Sequence, residues 1–134
     1  MRYVSAYLVA LVIFLVLDAL WIGVVARGFY LERIGELLRA QPDFIVAGLF
    51  YAIYVAGLVY FAIAGGLAGG GWMRAATDGA LFGFFAYLTY NATNLAVMRG
   101  YDAVVAAVDT AWGAFAGGLI AGLTVLLVSA FPRG

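Results

Sequence analysis

The sequence predicts an all-α membrane protein, with four transmembrane helices in a bundle and a short amphipathic interfacial helix between the first two. Three observations carry this. Of 134 residues, 67% are hydrophobic and only 10% charged, whereas a soluble domain carries about 25% charge. Four apolar runs, at about 4–25, 44–67, 77–97 and 103–128, each reach the roughly 20 residues that cross a hydrocarbon core. The connections between the runs hold most of the charged side chains. On this reading residues 1–134 form a single domain.

The first run follows Arg2 and could be mistaken for a signal peptide. It carries Asp18 in its second half, and no convincing small-residue cleavage site follows, so it reads as a mature helix. In the long connection, Phe29, Tyr30, Ile34, Leu37 and Leu38 recur at helical spacing. Arg27, Glu32, Arg33, Glu36 and Arg39 fill the other positions. That predicts an amphipathic helix over about 28–40 lying in the interface, a solvated helical linker being the alternative. Pro42-Asp43 suits the first turn of the second span. Gly65–Gly71 reads as a flexible turn, after which Thr77 or Asp78 caps the third span. Arg99-Gly100-Tyr101-Asp102 makes a tight third connection, with Asp102 favoured at the next helix N-terminus. Phe131-Pro132-Arg133 ends the chain at the interface, and four spans put both termini on the same side.

Glycines recur four apart at Gly79 and Gly83, Gly113 and Gly117, and Gly118 and Gly122. In lipid such pairs let helix backbones approach closely. They serve either packing within one chain or a homodimer through the Gly-rich face of the fourth span. Composition excludes much else. Net charge is zero and all seven basic residues are Arg, so there is no basic footprint for nucleic acid. Without Cys or His there is no disulfide, thiolate or imidazole metal site, or His-ligated haem. Ser5 and Ser129 are the only serines and lie at opposite ends, which argues against a serine hydrolase. No metal or cofactor is expected; the partner is the lipid bilayer.

One polar layer interrupts the apolar spans. Asp18-Ala-Leu-Trp21 closes the first, and Asp109-Thr-Ala-Trp112 lies in the last. Each puts a carboxylate and an indole on one helix face. Asp18 lies nine residues before Arg27, about 13 Å inward, and Asp109 seven after Asp102, about 10 Å. Asn91 and Asn94 precede Arg99 by eight and five residues, about 12 and 8 Å, and Tyr51 follows Asp43 by eight, again about 12 Å. Tyr87, Tyr90, Asn91 and Asn94 form a stripe on the third span, and Tyr51 and Tyr54 a shorter one on the second. Lipid cannot satisfy amides and phenols, so both stripes should face the bundle. Opposed carboxylates in low dielectric cannot both ionise cheaply. Trp21 and Trp112 have a plainer reading as interfacial anchors.

Taken together, these residues resemble a bacterial family of small membrane proteins known as domain of unknown function 2177. The resemblance covers essentially the whole chain. It is carried by Asp18-x-x-Trp21-Ile22-Gly23, Phe29-Tyr30, Phe50-Tyr51-x-x-Tyr54-Val55-x-Gly57, Tyr90-Asn91-Ala92-Thr93-Asn94-Leu95 and Asp109-x-x-Trp112-Gly113. It implies a four-helix protein of the bacterial inner membrane and no established activity. Members commonly carry Asp where this chain has Asn91, so a third acid is absent here.

Three functions fit the layer: binding or transport of a proton, cation or small polar headgroup; an accessory subunit in which the layer is interhelical glue; or a lipid-modifying enzyme using the acid pair. No nucleophile or metal set accompanies the third, and no catalytic residue is assigned.

Overall fold

The computed structural model describes residues 2–25, 27–35 and 44–130. They are nearly all helical, and no strand occurs among them. α1 spans Arg2–Leu20 and continues through a π-helical turn, Trp21–Val25; α2 spans Arg27–Ile34. α3 spans Phe44–Leu58 and runs on through π-helical turns at Val59–Ile63 and Gly66–Gly70 into α4, Gly71–Val97. α5 spans Ala103–Ser129. The expectations for Glu36–Arg39, Pro42-Asp43 and Phe131-Pro132-Arg133 lie outside the described residues.

Among the described residues, three helices are long and apolar enough to cross a membrane: Arg2–Leu20, Ile45–Val97 and Ala103–Ser129. The expected second and third spans thus belong to one continuous helical run of 53 residues. Drawn straight it would be about 80 Å long, far more than a bilayer core of about 30 Å. It is bent instead. Gly69 and Gly71 take φ of +129° and +80°, the left-handed region that a side chain disfavours. The ring of Tyr54 lies 5.3 Å from Phe82 and 6.2 Å from Tyr87, and Phe61 stacks on Phe82 at 5.7 Å. Gly66 sits against Ala75. Partners whose numbers rise on one side as they fall on the other mark a run doubled back on itself.

The expected cap of the third span is corrected. α4 begins at Gly71, so Thr77 and Asp78 lie inside it. The Thr77 hydroxyl donates to the Met73 carbonyl at 2.9 Å, and Asp78 pairs with Arg74 one turn back at 3.3 Å. Trp72, Met73, Arg74, Ala75 and Ala76 carry no helix breaker, so nothing delays the helix once the glycines end. Asp102 does cap α5, its carboxylate accepting from the Val104 amide.

α4 and α5 share the tightest seam. A Cβ on Gly117 would lie 2.2 Å from the Gly79 carbonyl oxygen, and one on Gly83 would lie 2.1 Å from that of Gly113. Backbone therefore meets backbone, the geometry that small residues four apart allow. Gly118 and Gly122 rest on Ala76 and Ala80 of the same chain. All four expected small-residue positions of the fourth span are thus engaged by α4.

α1 adds a stripe of residues four apart, Ala6, Ala10, Phe14 and Asp18, all buried. The Tyr7 hydroxyl ties it to α3 by donating to the Ala52 carbonyl at 3.0 Å. Outer faces carry Leu8, Val12, Ile45, Ile53 and Phe85, each more than half exposed. Such faces suit hydrocarbon, where helices satisfy their own backbone groups.

Candidate functional site

Asp18 reaches the interior because it continues the small-residue stripe of α1. Ala6 and Ala10 let the helix approach its neighbours, and Asp18 follows Phe14 by one turn. The Tyr51 hydroxyl of α3 donates to its carboxylate. Phe14 braces this pair, its ring 4.9 Å from Tyr51 and 5.0 Å from Tyr54.

Asp109 anchors the other wing. The Asn91 amide donates to its Oδ2 at 2.8 Å, to the Tyr87 carbonyl at 2.9 Å and, more weakly, to the Thr110 hydroxyl at 3.4 Å. The Tyr101 hydroxyl, from the α4–α5 connection, donates to Asn91 Oδ1 at 2.7 Å. That bond fixes which end of the amide faces Asp109. Tyr101 and Thr110 were not in the expected site. Tyr101 looked like a turn residue, and Thr110 is hidden from pattern reading by following Asp109 directly.

The wings meet. The Trp21 and Trp112 rings stack with centroids 4.4 Å apart and planes 4° from parallel. Asp18 and Asp109 each stand three residues before one member of that stack. Tyr87 touches both wings: its carbonyl accepts from Asn91, and its ring lies 6.2 Å from that of Tyr54. Tyr54 is 5% exposed and its hydroxyl has no hydrogen-bond partner among the described residues. The same holds for the buried Trp112 indole nitrogen.

Tyr90 does not join this cluster: it is 59% exposed, while Asn91 is 1% exposed. Residues three and four apart fall about 60° to one side and 40° to the other of the starting position. From Tyr87, the larger turn carries Tyr90 off the seam. Asn94 is half-buried at its edge. Among the described residues no three of His, Cys, Asp and Glu come together.

A family model described as "predicted membrane protein", domain of unknown function 2177, matches residues 3–126. The chain belongs to that family. Both Asp-x-x-Trp motifs, with Tyr51, Tyr87 and Asn91, fall within the matched residues. The protein is accordingly a membrane protein of helical build, as its apolar helices require. Comparison with curated proteins and with solved structures found no match.

α2 is clasped near the site. Arg33 bonds Asp102 at 2.9 Å, with its guanidinium 5.2 Å from the Phe29 ring centre. The Arg33 hydrogen bond holds the Asp102 carboxyl below the usual carboxylate range. A depressed carboxyl stabilises the clasp above its unfolded value, and that contribution goes as pH falls through the lowered one. The pair is partly exposed, so salt should weaken it as well. Spin labels on Glu32→Cys and Val104→Cys should sit close near neutral pH in dilute salt. They should spread in acid or molar salt, and at every pH in Arg33→Gln. A distance insensitive to all three changes would show that the ion pair does not hold α2.

Proposed function

We propose that this family member crosses the bilayer four times as a bundle, with α2 in the interface and both termini on one side. We further propose that it binds a proton between Asp18 and Asp109. The observation that carries the site is the Trp21–Trp112 stack. It joins the two Asp-x-x-Trp motifs, so two acids from helices far apart in sequence each stand one turn from the same stack. The one basic residue of α4, Arg74, is bound to Asp78 near that helix's start, many turns from Asn91.

Two carboxylates in a low-dielectric interior repel, and a proton held between them removes that repulsion. Tyr51 and Asn91 each donate to one acid, stabilising whichever remains charged. Intramembrane acids of this kind commonly mark proton or ion paths. The layer lies towards the side bearing α2, from which the site exchanges with water.

Reconstitution into vesicles with a pH-reporting dye tests this. Wild type should take up a proton after an acid jump, and Asp18→Asn and Asp109→Asn should each lose the uptake. Sodium or potassium ions competing with the uptake would extend the ligand to small cations. Uptake equal in wild type and both variants would sink the reading. A second reading is favoured by Asn91, whose amide is fully occupied: the layer is interhelical glue within an accessory subunit. Under it the variants lose stability, and wild type takes up no proton.

A further inference from the structure

The two orphaned donors of the layer define what accompanies the proton. We propose that Tyr54 and Trp112 mark where internal water is held, and that this water relays a proton to the acid pair, taking one from the aqueous side as it passes one on. This rests on the acid-pair reading and adds the chemistry of its ligand.

Tyr54 is held from four sides by Phe14, Phe50, Phe82 and Tyr87, with ring centres 5.0–6.2 Å away. Its hydroxyl cannot readily swing out to an interface. It ends beside Gly83, 3.2 Å from where a Cβ would stand, within the seam that Gly83 and Gly113 form. Phe14 packs against both Tyr54 and Tyr51, and Tyr51 is the partner of Asp18, while Gly113 directly follows Trp112. A buried hydroxyl in such a place is costly to leave unpartnered. Trp112 repeats the problem from the Asp109 motif, because an indole nitrogen can only donate.

Donor and acceptor counts then select the ligand. The Asp18 carboxylate can accept more than the one bond that Tyr51 gives it. The Trp112 nitrogen offers only a donor, and the Tyr54 hydroxyl can donate or accept. A bare metal ion could engage the carboxylates and could not accept from an indole. Water does both, accepting from the donors while donating to the acids, with two to four partners as buried waters require. Close packing argues against anything larger: a Cβ on Gly113 would lie 2.2 Å from the Tyr87 ring. A lipid headgroup has no such room.

Infrared difference spectra of the full chain in bilayers, taken in ordinary and oxygen-18 water, test the proposal. Wild type should show a sharp hydroxyl-stretch band, outside the bulk-water envelope, that shifts with the isotope. Tyr54→Phe keeps the ring and removes the hydroxyl, and should abolish or displace the band. Trp112→Phe should shift it. Tyr60→Phe, at an exposed position, should leave it unchanged. Absence of an isotope-sensitive band in folded wild type would overturn the proposal, as would a band indifferent to both Tyr54→Phe and Trp112→Phe. The companion proton-uptake assay separates the two ideas. Uptake without the band sinks the water alone, whereas a band responding to Tyr54→Phe without uptake keeps the water and sinks the acid-pair function.

Discussion

Gly117→Leu is expected to leave no stably folded protein. A side chain there would begin 2.2 Å from the Gly79 carbonyl oxygen and 3.3 Å from the Gly83 Cα. Real Cβ atoms do not stand so close, so something must move. The obstacles are backbone atoms of α4, which shift only if the whole helix does. Overpacking a core whose side chains can adjust costs about 1–3 kcal/mol, and a wedge between two backbones should exceed that. Separating α4 from α5 would also pull Asn91 from Asp109, which face each other across the same seam. Gly83→Leu should behave alike, because its Cβ would meet the Gly113 carbonyl oxygen at 2.1 Å. Gly48→Leu is the control, an exposed helix position with open space around it. Denaturation in mild detergent, followed by tryptophan fluorescence, should show loss of the cooperative transition for the first two and an unchanged one for the third. A Gly117→Leu transition matching wild type would disprove the seam.

The seam and the acids show what a linear sequence can reveal. Gly79, Gly83, Gly113 and Gly117 could be read as close-packing positions, because the four-residue period and the apolar surroundings are both local. Which glycine faces which was not visible, since that depends on the register between two helices. The same limit applies to the layer. Depth counting put Asp18, Tyr51, Asn91 and Asp109 at one level, because helical rise is fixed. Rotation was harder. Tyr90 shares the depth of Asn91 and lies about 100° away around the helix, which is the difference between lipid and seam. Tyr101 escaped because a connection has no periodicity to betray its direction. The turn expected over Gly65–Gly71 is narrower in the structure, because helical winding persists through much of that stretch and only Gly69 and Gly71 leave it. Gly66 and Leu67 are buried, and a buried backbone keeps its internal hydrogen bonds.

Asn91→Leu and Asn91→Asp should separate in how their stability depends on pH. Asn91 is almost fully buried, donates to Asp109 and accepts from Tyr101. Leucine fills similar space, so the loss is chiefly one of hydrogen bonds. It leaves Asp109 short of a donor and Tyr101 short of an acceptor, each costing about 1–3 kcal/mol if unrelieved. Tyr101 lies in a connection and can turn towards water, so the net destabilisation should be about 2–4 kcal/mol. No titrating group is introduced at the position, so that deficit should vary little from mildly acid to mildly alkaline pH. Aspartate keeps an acceptor for Tyr101 but replaces the amide donor with a carboxyl beside the Asp109 carboxylate, across a gap the amide now spans at 2.8 Å. Two charged carboxylates at that separation repel strongly, so one must hold a proton, and a protonated carboxyl can donate as the amide did. The variant should therefore approach wild-type stability in mild acid and lose it as pH rises and the shared proton leaves. The sign follows from linkage, because the folded form binds a proton that the unfolded chain has already released. The same variant should take up one proton more per chain than wild type in the vesicle assay. Melting curves for both variants in mild acid and mild alkali decide the matter. Parallel pH profiles for Asn91→Leu and Asn91→Asp would mean that the amide does not hold Asp109.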